Sequence, residues 1–181
     1  MPDQFESIQQ QIKDSRDFDN PPLHLWQPAL SGDIDIRIAA DGAWYHDGTA
    51  IAREAIVRLF ASILRREDDG QYYLVTPAEK WRIKVDLHPL VVTEIDAVEQ
   101  DGQRMLLARL NTGKQVPIDA RHPLFLEPAV GDVAAVKLPH GLSALLSRAA
   151  WYRLVEIAER VEGRLQVASG GQWFALEPEP A

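Results

Sequence analysis

The sequence predicts an α+β fold made of two small domains with repeated strand and helix motifs. Short alternations of apolar and polar residues, which are typical of strands, outnumber the segments with helical spacing. Only two long helices are predicted in the body of the chain, too few for alternating strand–helix–strand units, so we expect mainly antiparallel strands. A helix, an acidic residue, a glycine and an apolar strand recur as LRREDDGQYYLV and AERVEGRLQV. This echo favours a duplicated β–helix–β plan, although chance similarity of common elements would also produce it.

The composition excludes several classes of protein. The chain has 181 residues, of which 46% are hydrophobic and 25% charged, so disordered and fibrous proteins are excluded. It has no cysteine, which excludes disulfide scaffolds, thiolate zinc sites and a cysteine nucleophile. The net charge of −8 opposes general binding to nucleic acid or to anionic membranes. We therefore expect neither kind of partner.

The beginning of the chain predicts an amphipathic helix rather than a targeting signal. Phe5, Ile8 and Ile12 have helical spacing, and Asn20-Pro21-Pro22 stops any helix. We expect residues 1–22 to form a helical appendage that packs lightly on the body or on a partner. No signal-peptide pattern and no apolar run of about 20 residues is present, which together with the lack of cysteine predicts a cytoplasmic protein.

The first predicted domain covers residues 23–84 and combines strands with one helix. Alternation around residues 34–38 predicts a strand, and aspartate–glycine pairs at 41–42 and 47–48 predict hairpin turns. The apolar spacing then becomes helical from about residue 52 to residue 66. Strands are predicted at about 71–76 and 81–85.

The second predicted domain covers residues 85–177 and contains more strands. Strands at about 90–99 and 103–110 flank Asp101-Gly102, and Ser143 is a plausible N-cap for a second long helix. Further strands are predicted near 114–118, 123–127, 132–138, 164–168 and 172–176, and the helix spans about 143–161.

No motif in the sequence specifies a reaction. Asn111-Thr112-Gly113-Lys114 lacks the upstream glycine and the following helix of a phosphate loop. The sequence around Ser143 lacks the second glycine of a nucleophile elbow. No two of the five histidines have metal-ligand spacing, and turn positions account for them better. We expect no metal, no cofactor and no catalytic residue that the sequence can identify.

Arginine and aromatic residues are the best candidates for a binding site. Arg53 is near the start of the first predicted helix, and Arg148 lies beside the pair Trp151-Tyr152 in the second. Arginine recognises carboxylate or phosphate with two parallel hydrogen bonds and also stacks on aromatic rings. A solvated helix face with salt bridges is the simpler interpretation. The polar segment Thr76–Trp81 follows a strand, either as a functional loop or as an exposed proline turn.

Three long stretches resemble the bacterial domain of unknown function 1285 family. They begin with DGAWYHDGTAIAREAIVRLFASILRREDDGQYYLVTPAEKW, continue with LNTGKQVPIDARHPLF and end with GLSALLSRAAWYRLVEIAERVEGRLQVASGGQWFAL. The resemblance covers most of residues 32–176. It implies two domains, a C-terminal part similar to a pleckstrin-homology barrel with a long helix, and a groove between the domains for a nucleotide-like ligand. It implies no established activity.

The residues and the resemblance together predict a non-enzymatic module that binds a small nucleotide-like anion and has a signalling or regulatory role. One alternative is a protein-interaction adaptor that uses strand addition or the N-terminal helix. Another is a metal-free enzyme that uses Glu79 and Lys80. The predicted ligand-binding residues are Arg53, Thr76, Glu79, Lys80, Asn111, Arg148 and Tyr152.

Overall fold

The computed structural model describes residues 3–13 and 20–181. The chain divides into two units, Met1–Pro89 with His140–Leu142, and Leu90–Pro139 with Ser143–Ala181. The predicted α+β class with two domains is confirmed. Within the described ranges, every helix is too short or too polar to cross a membrane.

A six-stranded sheet forms the centre of the first unit. The strands lie in the order β3-β2-β1-β6-β5-β4. Two antiparallel meanders, β1-β2-β3 and β4-β5-β6, meet at the parallel pair of β1 and β6. The elements are α1 (Gln4–Lys13), β1 (Gly32–Ile38), β2 (Trp44–His46), β3 (Thr49–Ala50), α2 (Glu54–Ser62), β4 (Leu64–Arg66), β5 (Tyr72–Val75) and β6 (Lys80–Val85).

The core of this unit lies between the sheet and its two helices. Phe60 of α2 is fully buried, and its ring lies 6.4 Å from that of Trp44 and 4.9 Å from that of Phe5, measured between centroids. The alternating Ile36 and Ile38 of β1 are also fully buried. Burial of side chains of this size contributes about 1.5–3 kcal/mol each, so helix packing on one sheet face stabilises the unit.

The predicted N-terminal helix forms and packs on the body of the first unit. Ile8 and Ile12 of α1 are buried, with 0% and 4% of their surfaces exposed. The apolar face of α1 is therefore part of the core, which is closer packing than we expected for an appendage. Residues 1–2 and 14–19 of the predicted segment lie outside the described residues.

The helix predicted over residues 52–66 is shorter than expected. α2 ends at Ser62, and Leu64–Arg66 form β4. The register pairs Leu64 with Leu74 and Arg66 with Tyr72. Pairing with a neighbouring strand therefore overrides the helical spacing, because apolar residues near the end of a helix suit a strand equally well.

The second unit contains another six-stranded sheet and a small three-stranded sheet. The strand orders are β10-β11-β12-β7-β8-β9 and β13-β14-β15. The elements are β7 (Leu90–Gln100), β8 (Gln103–Leu110), β9 (Gln115–Ile118), β10 (Leu124–Glu127), β11 (Val133–Lys137), β12 (Ser143–Leu146), α3 (Arg148–Ile157), β13 (Glu159–Val161), β14 (Arg164–Ser169) and β15 (Gln172–Ala175).

The larger sheet of the second unit is open. Within residues 90–181, all of which are described, no strand pairing joins β9 to β10. The expected pleckstrin-homology-like barrel is therefore not closed. Pro117 in β9 has no backbone N–H, which suits an edge strand.

The second long helix also differs from the prediction of residues 143–161. α3 covers Arg148–Ile157, and its N-cap is Ser147, whose Oγ accepts a hydrogen bond from the Ala150 amide at 3.2 Å. Ser143, the expected cap, instead begins β12, which pairs with β11 and β7. Glu159–Val161, the expected last turn, forms β13.

Sheet topology supports the predicted duplication better than the sequence echo does. In each unit, two three-stranded meanders meet at a parallel pair formed by the first and last strands, β1 with β6 and β7 with β12. The two echoing stretches, however, are not equivalent. The first forms the β4–β5 hairpin of a six-stranded sheet, whereas the second forms β13 and β14 of the small sheet.

Candidate functional site

Lys80, a predicted site residue, belongs to an ion-pair cluster in the first unit. Its Nζ lies 2.8 Å from Glu67 Oε1 and 4.8 Å from the centroid of the Tyr73 ring. Arg65 donates to Glu67 Oε2 from Nε at 3.1 Å and from Nη2 at 2.6 Å. Its Nη1 donates to the carbonyl oxygens of Leu23 and Trp26. The cluster therefore holds the segment before β1 against β4 and β6.

The environment of Glu67 keeps its carboxylate ionised. Partial burial raises its pKa, but hydrogen bonds from Lys80 and Arg65, together with their positive charges, outweigh that effect. The net result is a pKa below the ordinary value. Glu67 is therefore a charged structural group at neutral pH.

Thr76 and Glu79, also predicted site residues, connect the β5–β6 turn to α1. The buried Thr76 hydroxyl donates to Gln11 Oε1 at 2.6 Å and accepts from the Glu79 amide at 2.9 Å. Glu79 Oε2 accepts from Gln11 Nε2 at 2.8 Å and from Trp81 Nε1 at 3.4 Å. These contacts give both residues a structural role in the position of α1.

Arg53 and Asn111 lie at the ends of elements in different units. Arg53 is exposed and is the N-cap of α2, without a capping hydrogen bond from its side chain. Asn111 follows β8, and its Oδ1 accepts a hydrogen bond from the Val91 amide at 3.2 Å. The Asn111 amide in turn donates to the Val91 carbonyl at 2.8 Å. Asn111 therefore extends the pairing of β8 with β7.

Arg148 and Tyr152 form a pair on the exposed surface of α3. Arg148 Nε donates to the Tyr152 hydroxyl at 3.1 Å, and its Cζ lies 5.4 Å from the ring centroid. Tyr152 is 57% exposed. The predicted association of an arginine with an aromatic ring is therefore present in this helix. Whether any of the seven predicted residues binds a ligand stays a prediction.

An open cavity of about 420 Å³ lies in the first unit where β1 and β6 lose their regular pairing. Asp33 is opposite Arg82, and the next register pair is Arg37 with Lys84. Three residues of β1 are therefore opposite one residue of β6. The excess of two residues keeps Ile34 and Ile36 on the core face, because side chains alternate with a period of two. Irregular pairing of this kind often occurs beside functional sites.

The cavity combines an apolar surface with a cationic rim. Four successive β6 residues line it; Ile83 is almost fully buried, whereas Arg82, Lys84 and Val85 are partly or fully exposed. Within the described part of the chain, none of the seven predicted site residues lines this cavity. The lining residues are Asp33, Ile34, Gly70, Gln71, Tyr72, Arg82, Ile83, Lys84 and Val85.

Arg82 has an incomplete set of hydrogen bonds at this cavity. Its Nε is buried and makes no hydrogen bond, although it lies 3.4 Å from Asp33 Oδ1. Its Cζ is 6.0 Å from the centroid of the Tyr73 ring. The cavity therefore has a cation whose position is restricted by packing and whose hydrogen-bonding capacity is not fully used.

A tyrosine–aspartate pair shapes the turn beside the cavity. The Tyr73 hydroxyl donates to Asp69 Oδ2, and Asp69 Oδ1 accepts from the Gln71 amide at 2.8 Å. The hydrogen bond from Tyr73 lowers the pKa of Asp69, and the same bond raises the pKa of Tyr73. Burial raises the pKa of Tyr72, so its hydroxyl is neutral at physiological pH.

Comparison with family models identifies both halves of the chain. Residues 21–87 match the "Domain of unknown function (DUF1285), N-terminal domain" and residues 89–176 match the "Protein of unknown function (DUF1285), C-terminal domain". The chain belongs to the DUF1285 family. Comparison with functionally curated proteins gives no match.

Two crystal structures of DUF1285 proteins are similar to this chain. The protein from Silicibacter pomeroyi DSS-3 is 36% identical, with a TM-score of 0.84 and coverage of 93% of both chains. The protein from Shewanella baltica OS155 is 31% identical, with a TM-score of 0.56 and coverage of 67% of this chain and 90% of that one. The similarity supports a bacterial DUF1285 fold and indicates no activity.

The sequence of this DUF1285 protein carries a signal for the cavity that belongs to no known motif. In the strand predicted at residues 81–85, Arg82 and Lys84 alternate with the apolar Trp81, Ile83 and Val85. Such alternation predicts a strand with one cationic edge or face. The bulge opposite β6 has no such signal, because it results from the pairing of two strands far apart in sequence.

Proposed function

We propose that this protein is a non-enzymatic module that binds a small, nucleotide-like anion in the cavity beside β6, with a regulatory or signalling role in the cytoplasm. The observation that carries this proposal is the charge of the cavity. Arg82 and Lys84 line it against one carboxylate, Asp33, in a chain with a net charge of −8. A local excess of cations in an acidic protein attracts anions to that position.

The remaining lining residues suit a ligand with an apolar, flat part. Tyr72 and Val85 are half-buried and keep part of their surface exposed at the cavity, whereas Ile34 and Ile83 are almost fully buried. Arg66 stacks on the Tyr72 ring at 5.5 Å and adds a third cation beside the rim. An apolar surface with a few polar groups is the usual composition of a small-molecule site. A base would pack on the apolar surface and a phosphate would bind the cations.

The first experiment compares the wild type with charge variants by thermal shift and calorimetry, with ATP and pyrophosphate as probes. A ligand present at about 100 times its dissociation constant adds about 2.7 kcal/mol to the free energy of unfolding, which raises the melting temperature by several degrees. Arg82→Gln and Lys84→Gln should each weaken ATP binding about tenfold or more, because a charge-assisted hydrogen bond is lost.

Arg37→Gln is the matched control. Arg37 lies on the neighbouring strand and pairs with Asp86 at 3.2 Å, outside the cavity. Its ATP affinity should equal that of the wild type. If Arg148→Gln abolishes binding while Arg82→Gln binds normally, the ligand binds at the residues predicted from the sequence and the cavity proposal is wrong.

The two alternatives make requirements that differ from those of the binding module. An adaptor that uses the apolar face of α1 requires α1 to leave its packed position, because Ile8 and Ile12 are buried. In a metal-free enzyme, Glu79 and Lys80 would act on a substrate from positions where they now form hydrogen bonds with Gln11 and Glu67. Consumption of ATP by the wild type, with loss of this activity in Glu79→Gln, would support the enzyme over the binding module.

A further inference from the structure

The acidic residue of the cavity is held directly beside its main cation. Asp33 of β1 and Arg82 of β6 are register partners in the parallel pair, so their side chains emerge next to each other. Asp33 Oδ1 lies 3.4 Å from Arg82 Nε. The Asp33 side chain is 73% exposed, whereas that of Arg82 is 39% exposed. The carboxylate can therefore move into solvent more readily than the guanidinium can.

The contact between the two residues is weak. The distance is long for a charge-assisted hydrogen bond, and Arg82 Nε makes no hydrogen bond. Exposed ion pairs contribute little to stability because water screens them. A ligand with two or more phosphate oxygens offers the guanidinium a better, bidentate partner than Asp33 does.

We infer that Asp33 is a built-in competitor that occupies Arg82 in the absence of ligand and is displaced by the anionic group of the ligand. This inference rests on the proposed function of the cavity. It also narrows the ligand class to anions with more than one charge, such as a diphosphate or triphosphate. A single carboxylate could replace Asp33 at Arg82 but has no second charge for Lys84, so it would gain less than a diphosphate.

Removal of the Asp33 charge should therefore tighten binding. In Asp33→Asn, the ligand no longer competes with a carboxylate for Arg82, and no negative charge at position 33 repels it. We expect the dissociation constant of pyrophosphate to fall about fivefold, as expected for one nearby charge in a partly solvated site. Acetate should bind measurably neither to the wild type nor to Asp33→Asn.

Asp35→Asn is the matched control for this substitution. Asp35 is exposed, lies two residues further along β1 and does not line the cavity, yet its substitution changes the net charge by the same amount. Both variants should keep the melting temperature of the wild type without ligand. Pyrophosphate and ATP affinities are measured for the wild type, both aspartate variants and Arg82→Gln by calorimetry.

The outcomes separate this inference from the proposed function. Tighter binding in Asp33→Asn than in Asp35→Asn supports the competitor role. Equal affinities of the two aspartate variants overturn that role, and the proposed function survives if Arg82→Gln still loses binding. Absence of pyrophosphate and ATP binding by the wild type overturns both. Acetate binding equal to that of pyrophosphate would overturn the restriction to multiply charged anions.

Discussion

Lys80 Nζ donates a hydrogen bond of 2.8 Å to Glu67 Oε1, which joins the start of β6 to the residue that follows β4. Arg65 binds the other oxygen of the same carboxylate. One carboxylate thus pairs with two cations that pack close together.

Stability should depend on pH through Glu67. Its pKa is lowered in the folded protein, so its contribution is complete above the unfolded value of about 4.5 and is lost as the pH falls through the folded pKa. Glu67→Gln should be less stable than the wild type at neutral pH, and the difference should shrink on acidification. Urea unfolding of both proteins, from neutral pH to below pH 4.5, measures the difference in their free energies of unfolding. A difference that does not change with pH would contradict the prediction.

Thr76→Val should destabilise the first unit by about 1–3 kcal/mol. The substitution keeps the shape of the side chain but leaves the Glu79 amide and Gln11 Oε1 without their hydroxyl partner in a buried position. Thr49→Val, at an exposed position of β3, is the control and should change stability by less than about 0.5 kcal/mol. Equal denaturant midpoints for the two variants would show that the Thr76 hydroxyl is not structural.

Ser169→Ala should destabilise the second unit by about 1–3 kcal/mol. The Ser169 side chain is fully buried; its Oγ donates to the Ile118 carbonyl at 2.6 Å and accepts from the Leu106 amide at 2.8 Å. It therefore links β14 to both β8 and β9. Chemical denaturation measures the loss of stability. Ser169→Thr keeps the hydroxyl but should also be less stable than the wild type, because its extra methyl group must fit into a fully buried position.

Gly170→Ala should be more destabilising than Gly163→Ala. Both glycines have a positive φ, 60° and 81°, so a Cβ costs about 1–2 kcal/mol at either position. At Gly170 the new Cβ would also lie 3.1 Å from Asp119 Cβ, whereas at Gly163 nothing lies within 4 Å. Thermal melts of the two variants compare them directly. Equal melting temperatures would mean that the Asp119 loop moves away without an energetic penalty.

Local sequence patterns predicted most strands, because apolar–polar alternation and turn residues involve only positions that are close together in the chain. Alternation along residues 34–38 and the aspartate–glycine turn at 101–102 correspond to β1 and to the β7–β8 hairpin. Both helices of the body were predicted too long. Leu64–Arg66 and Ser143–Leu146 continue the helical spacing but pair with strands that are distant along the chain or across a turn. Helical spacing alone cannot reveal such partners.

The candidate site was predictable only in part. The sequence singled out Thr76, Glu79 and Lys80, which the structure brings into a hydrogen-bonded region of the first unit, and the Arg148–Tyr152 pair, which forms on α3. It did not single out Arg82 or Asp33. These two residues lie almost fifty positions apart, and only the parallel pairing of β1 with β6 makes them neighbours.

By itself the sequence determined the α+β class, the net acidity and the positions of most strands, because composition and periodicity act over short distances along the chain. The family followed from the resemblance of three long stretches of sequence. Tertiary structure decided where the helices end, that the second sheet is open, and where the cavity lies. Each of these depends on backbone hydrogen bonds between strands that are remote in sequence. The parallel pairing of β1 with β6 is the clearest case, since it makes Asp33 and Arg82 neighbours and its irregular register lies beside the cavity.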